Sequence, residues 1–323
     1  MLSGCETQQR VQRRQFSTQK IASEECRVPL ELFLVLIRLS TETIQVHWIN
    51  LSHTITLYRN PAGAICRTCN SRSCAPPPCC PPPIRPETMS ADQIVEELKS
   101  SASESVRKVL LKHGIPEPVL GVKIEHLKKI QKRIKSDYQL ALDLYDTGIY
   151  DAMYLAGLIA DDRRMTKRDL QKWARSATCS ALCSYTVAWV AAGSQHGWEL
   201  GLKWIDAKQE RIAVAGWSTI GSMVGIIDDT ELDLVTLKAL IKRVQREIHN
   251  APNDVRYAMN GFVIATGSYV ESLTEFALQT ARRTGQVTVD MGDTACKVPF
   301  APDAIAKVQA KGRIGKKRST AKC

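Results

Sequence analysis

Between Ser90 and Thr284 apolar residues return with a period near 3.6, in short runs separated by brief turns, and no run alternates as a half-buried strand does. Burial in that region has to come from helix packed on helix. Ser90 reads as the N-cap of a first helix, carrying Ile94, Leu98, Val106, Val109 and Leu110 on its apolar faces until His113 and Gly114 stop it. The stretch "GIPEPVLGVKIEHLKKIQKRIKS" is a Pro- and Gly-rich loop leading into a basic helix. Its Ile124, Leu127, Ile130 and Ile134 point inward, and Lys123, Lys128, Lys129, Lys132 and Arg133 point outward. Further helices are expected over 138–145, 149–159, 167–175, 179–192, 196–205, 210–225, 232–249, 254–266 and 270–284.

Antiparallel helix pairs of about 35 to 45 residues joined by short turns are the pattern of a HEAT-like array. The expected fold class is all-α, a HEAT-like superhelical solenoid of helix pairs with a concave surface broad enough for another macromolecule. A compact helical bundle is the alternative, because the pairs superpose by pattern and not by residue identity. Trp173, Trp189, Trp198, Trp204 and Trp217 fall within 45 residues of one another. Most belong to the core. Trp189 and Trp217 are the candidates for stacking on a base or packing on a nucleic-acid backbone.

Charge divides the chain. Residues 89–296 hold 26 cations and 26 anions, whereas 297–323 hold eight Lys or Arg against Asp303 alone. That last segment carries +7 of the formal +11, which suits a polyanion better than a small metabolite. Val298, Phe300, Ile305 and Val308 supply the apolar side of a short capping helix beginning after Pro302. Beyond it, "GRIGKKRSTAKC" has no amphipathic stripe. It is expected either as a flexible arm, with Arg313, Lys316, Lys317, Arg318 and Lys322 on phosphates, or as an ordinary solvated terminus.

Residues 1–88 differ in kind. They hold seven of the eleven cysteines and the run "SCAPPPCCPPPIRP", whose prolines donate no backbone hydrogen bond, so a disordered extension is expected there. "MSADQIVEELKS" opens like the start of a folded protein, so the extension is expected to lie outside the genuine product. Cys66, Cys69, Cys74, Cys79 and Cys80 raise a zinc site, but no strand or helix pattern around them needs stapling, and no metal is assigned. The apolar "LELFLVLI" is too short to span a bilayer and runs into Arg38. Four cysteines after Met89 fit a reducing cytoplasmic or nuclear setting.

The blocks "LALDLYDTGIYDAMYLAGLIADDRRMTKRDLQKWA", "YTVAWVAAGSQHGWELGLKWIDAKQERIAVAGWSTIGSMV" and "NDVRYAMNGFVIATGSYV" resemble the DNA alkylation repair proteins, the HEAT-like bacterial alkylpurine DNA glycosylases and their relatives. The resemblance covers about Asp92 to Cys323. It implies a helical solenoid that cradles duplex DNA and, in active members, hydrolyses the glycosidic bond of N3- or N7-alkylated purines. It also implies a Trp and an Asp near the start of the central helix, and an Arg on the following repeat that holds a phosphate. This chain departs from that pattern. Its central helix reads "SATCSALCSYTVAW", without Asp or Glu from Ser176 to Ala188, so Cys179, Ser180, Cys183 and Ser184 stand where the carboxylate belongs.

A thiol or hydroxyl does not supply a preorganised carboxylate's field. The substitute acids are Asp146, Asp162 and Asp229, each near a helix end where an acid is commonly a cap. Phosphate contacts are assigned to Lys123, Lys128, Lys132, Arg211, Arg256, Lys297, Arg313, Lys316, Lys317 and Arg318. Asn260, one turn from Arg256, is read as an inter-helix hydrogen-bonding group. Cys179 and Cys183 share a helix face without a third ligand. The chain has no phosphate-binding glycine loop, HExxH, G-x-S-x-G or histidine cluster, which leaves an ordinary metabolic enzyme without support and no cofactor to assign. The reading is a DNA-binding protein of alkylation-repair type, expected as a monomer on duplex DNA. Glycosidic hydrolysis stands against a catalytically silent scaffold for protein or structured nucleic acid.

Overall fold

The structure, a computed structural model, describes Met89–Lys322. The cysteine- and proline-rich extension, its zinc-like spacing and its apolar run lie outside the described residues.

Within them the chain is helical, with a single isolated bridge between Ala102 and Val122 and no named strand. In order come α1 (Ala91–Ser100), α2 (Glu104–Lys112), α3 (Ile124–Ile134), α4 (Tyr138–Asp146), α5 (Tyr150–Ile159) and α6 (Lys167–Ser176). The central helix follows as one rod, formed by α7 (Ser180–Leu182), a π-helical turn (Cys183–Val187) and α8 (Ala188–Gly193). After it come α9 (Gly197–Trp204), α10 (Glu210–Met223), α11 (Leu234–Glu247), α12 (Asn253–Tyr269), α13 (Thr274–Thr284) and α14 (Ala301–Ala310).

The second helix of each pair packs on the second helix of the next, in the order α5, central helix, α10, α12, α14. The first helices, α4, α6, α9, α11 and α13, pack against their own partners. This is the HEAT-like stack that the pattern called for. The sequence of α5, "YDAMYLAGLI", is apolar around the helix apart from Asp151 in its first turn, and every residue of it is buried. A helix without a polar face belongs in an interior. By contrast α6, "KRDLQKWARS", buries one stripe, Leu170, Trp173 and Ala174. Trp173 lies flat on Tyr145 with ring centroids 4.1 Å apart, and the Tyr145 hydroxyl donates to the Trp173 carbonyl at 2.9 Å. That bond joins two successive pairs inside the core.

Local signals fix several ends. Ser90 and Gln93 form a reciprocal capping box, with Ser90 Oγ accepting from Gln93 N at 3.2 Å and Gln93 Oε1 from Ser90 N at 2.8 Å. The expected single helix from Ser90 to His113 is, however, two helices. In "SSAS" the serine hydroxyls compete for backbone groups, and the chain is drawn aside there because Ser103 N donates to Gly121 O at 3.1 Å. Asp151, wholly buried in the first turn of α5, accepts from Leu120 N at 2.7 Å, Gly121 N at 3.3 Å and Val122 N at 2.7 Å. One carboxylate thereby pins the loop between α2 and α3.

The capping helix α14 begins at Ala301 and packs on α12 and α13, with Ile305 fully buried. Asn260 Nδ2 donates to Pro299 O at 2.9 Å, so it holds the approach to α14 and not a neighbouring helix. The residues after α14 form no loose arm. They run back over the body, with Gly315 N donating to Ser268 O at 3.0 Å, Arg318 N to Gly225 O at 2.8 Å, and Ala321 buried.

Candidate nucleic-acid interface

Three helix N-termini meet at one open cavity of about 740 Å³: the central helix at Cys179 and Ser180, α10 at Gln209, Glu210, Arg211 and Ile212, and α12 at Asp254. Gly114 and Pro116 close it on the side of the pinned loop, and Ala174, Arg175 and Thr178 on the side of α6. Each N-terminus brings the positive end of a helix dipole to the same space, with the Asp254 N–H taken by Glu210 Oε1 at 2.8 Å and the Ala181 and Leu182 N–H groups turned to the Cys179 thiol. Arg175 and Arg211, both exposed, add two guanidinium groups.

A polar chain ties the three ends together. Arg211 donates to Thr178 O at 2.8 Å, which anchors the turn before the central helix. Ser180 Oγ donates to Asp254 Oδ2, and Asp254 N donates to Glu210 Oε1 at 2.8 Å. Asn253 Nδ2 reaches Asp254 Oδ1 at 3.1 Å and Asp290 O at 2.9 Å, while its own Oδ1 accepts from Asp290 N at 2.8 Å. The starts of α7, α10 and α12 and the loop at Asp290 are therefore one hydrogen-bonded unit. Glu210 and Asp254 are the carboxylates of this cavity, and no motif in the sequence marks either. Each is an ordinary first-turn acid by local pattern. Only the stacking of α10 and α12 on the central helix brings them to Ser180.

The two central-helix thiols behave as buried apolar groups. Burial pushes the Cys179 thiol up, with the Leu182 and Ala181 N–H groups pulling the other way. Burial, then the neighbouring Cys179, pushes Cys183 up to about 12. At neutral pH both are protonated and bring no charge to the helix that lacks a carboxylate. The π-helical turn begins at Cys183 and widens the rod, with Cys183, Thr186 and Val187 buried in it.

The acids chosen from sequence lie elsewhere. Asp146 is ion-paired with Lys172 at 2.6 Å, Asp162 with Lys322 at 2.7 Å and Asp229 with Lys317 at 2.6 Å, and none of the three lines the cavity. They are structural anchors because each faces a lysine across a helix end. The tryptophans chosen for stacking are core residues. Trp189 is 6% exposed and sits edge-on to Tyr154 at 5.6 Å, and Trp217 is fully buried against Phe262 at 5.3 Å.

Of the basic residues, Arg211 lies in the cavity. Arg256 uses its guanidinium on Ala251 O and Thr288 O, both at 2.9 Å, holding the loop after α13. Lys317 donates to Val224 O at 2.8 Å, and Arg318 lies over the Tyr269 ring at 5.7 Å, so neither reaches out from the body. Arg313 is half-buried in the same returning segment. Lys123, Lys132, Lys297 and Lys316 are exposed, and Lys128 is partly so. Among the described residues no group of three or more His, Cys, Asp or Glu is placed to hold a metal ion, and no helix is long and apolar enough to cross a membrane.

Residues 94–289 match the family model of the DNA alkylation repair enzymes. The protein Lin0241 of Listeria innocua is 30% identical over 230 residues, 69% of this chain and 98% of its own length. Lmo0209 of Listeria monocytogenes is 30% identical over 224 residues, 68% of this chain and 96% of its own. A solved structure from a new family of proteins related to the HEAT-like repeat DNA glycosylases, with affinity for branched DNA structures, superposes with a TM-score of 0.68 at 32% identity. It is covered along its whole length by 73% of this chain. The family model spans more than half the chain, the relatives are matched almost end to end, and the chain belongs to the DNA alkylation repair enzyme family.

Proposed function

We propose that this chain binds DNA across the face that holds the cavity, prefers branched over plain duplex DNA, and does not hydrolyse glycosidic bonds through its central helix. The observation that carries this is the meeting of three helix N-termini with Arg175 and Arg211 at one cavity, beside a central helix that has thiols and hydroxyls and no carboxylate from Ser176 to Ala188, where the resemblance implies an acid. Helix N-termini and guanidinium groups are the fittings of a phosphate site. The affinity of the superposable protein for branched DNA supports the choice of substrate shape. The buried positions of Trp189 and Trp217 support recognition through backbone and shape, not through a base stacked on either ring.

The test measures binding of the full chain to a four-way junction, a fork and a duplex of equal length, together with release of N3- and N7-methylpurines from methylated duplex. The expected result is junction affinity about tenfold or more above duplex, and no release at protein excess, given how strongly phosphate geometry and salt govern such binding. Equal affinity for junction and duplex, or no affinity for either, overturns the reading. A second reading rests on one observation: Asp254 places a carboxylate in the cavity against Ser180. Under it, Asp254 supports positive charge developing on the sugar. Methylpurine release by the wild-type chain that disappears in Asp254→Asn would establish it.

A further inference from the structure

We propose that the C-terminal tail is a latch that positions the cavity from the opposite ends of the helices that build it. The proposal concerns regulation of the same site, so its consequence for DNA rests on the reading above, while its mechanical content does not.

Two of the helices that open at the cavity, α10 and α12, end at the tail, and the central helix reaches it through Asp162. The α12 helix runs from Asp254 in the cavity to Ser268, whose carbonyl accepts from Gly315 N at 3.0 Å. The α10 helix runs from Glu210 to Met223, and just past its end the Val224 carbonyl accepts from Lys317 Nζ at 2.8 Å and the Gly225 carbonyl from Arg318 N at 2.8 Å. The central helix ends at Gly193, where an added Cβ would stand 2.3 Å from Asp162 Oδ2. Asp162 in turn holds Lys322 at 2.7 Å, and Lys322 Nζ also donates at 2.7 Å to Ala160 O, at the end of α5. The inner helices from α5 to α12 are thus tied by one strand of chain.

The attachments are specific. Lys322 and Lys317 have side chains only 11% and 19% exposed, each pairs with one carboxylate, Asp162 or Asp229, and each also donates to a carbonyl left over at a helix C-terminus. Cations belong at that end of a helix dipole. Ala321 is 2% exposed between the two anchors' reach, and Ile314 packs on the core. An ordinary solvated terminus has no such burial. At 1.5 Å per residue, α10 and α12 hold the two ends about 20 to 25 Å apart, so a tail contact acts on the cavity only through the helices as rigid rods. Lys317, Lys322, Asp162 and Asp229 are on this account positioning residues that touch no ligand.

The latch and a direct phosphate contact predict opposite results when the acids are removed. Full-length wild type, Asp162→Asn/Asp229→Asn and Lys317→Met/Lys322→Met are compared by hydrogen exchange over 178–183, 209–212 and 253–256, and by binding to a four-way junction across a salt series. Both double variants are expected to speed exchange at those three segments about fivefold or more, within the range of couplings between distant sites. Both should bind the junction more weakly with an unchanged salt slope. Direct contact instead makes the Asp variants bind more tightly and lowers the slope of the Lys variant by about two; either result overturns the latch. So does exchange at the cavity that stays at wild-type rates once tail peptides have lost protection, or a tail that keeps its protection in both variants. Should a double variant lose helicity, the single Asp229→Asn and Lys317→Met, at the more exposed pair, take the same measurements. A chain that binds no DNA refutes the DNA reading and leaves the exchange data to decide the latch.

Discussion

Asp151 shows how much of this site rests on a residue that touches no ligand. Its carboxylate is buried and is held by three successive backbone N–H groups, from Leu120, Gly121 and Val122. The loop it holds is continuous with Gly114 and Pro116 at the cavity wall. Gly121 has to be glycine there, with φ at +81° and an added Cβ only 2.5 Å from Arg107 N. Replacing Asp151 by Ala leaves three donors, two of them buried, without an acceptor, and a hydrogen bond to a charged group is worth about 1.5–3 kcal/mol. The expected loss on Asp151→Ala is about 3–5 kcal/mol in urea unfolding, with about half that for Asp151→Asn, which keeps one acceptor oxygen. A change under about 1 kcal/mol would mean that the loop is held by other contacts. Asp162 is the opposite kind of buried acid. Burial raises its carboxyl, and Lys322 on the tail pulls it back down.

At the scale of elements, the helices were legible because their apolar stripes and breaks are local properties of the sequence. Ser90 announces the start of α1 as its N-cap, and Pro302 marks the first turn of α14, which begins one residue ahead of it at Ala301. The break between α1 and α2 was not legible, since it depends on Gly121 bonding to Ser103 from another part of the chain. The site was legible only at its centre. The central helix stood out by its missing acid, whereas Glu210 and Asp254 reach it only through stacking, and the anchoring of Lys317 and Lys322 depends on acids 88 and 160 residues away. Close approach of helices is likewise invisible until they are packed. In α10, a Cβ at Gly216 would lie 2.5 Å from Ile205 N and 2.8 Å from the Trp204 carbonyl carbon, both backbone atoms. Alanine is the better helix former by about 1 kcal/mol, but overpacking against backbone costs about 1–3 kcal/mol or more. Gly216→Ala is therefore expected to lower stability, by about 1–2 kcal/mol net, in thermal or urea melts. A stabilised variant would show that α9 and α10 separate freely.

For the molecule as a whole, formal charge and usable charge are different quantities. The basic terminus accounts for most of the net +11, yet Lys317 and Lys322 are neutralised by Asp229 and Asp162, and Arg318 lies on Tyr269. The exposed cations that line the cavity are Arg175 and Arg211, beside the carboxylates Glu210 and Asp254. Lys123, at the N-cap of α3, and Lys132, in its last turn, are a separate set. Each phosphate neutralised contributes about 0.9 to the slope of log affinity against log salt on duplex DNA. Arg175→Gln/Arg211→Gln is accordingly expected to lower the slope for junction binding by about two while leaving the helical content unchanged. Lys123→Gln/Lys132→Gln serves as the comparison on the α3 face. An Arg pair without effect on the slope, beside an α3 pair that lowers it, would move the DNA path off the cavity and onto the first repeats, and the polar chain from Ser180 to Glu210 would then be a staple between helices with no phosphate near it.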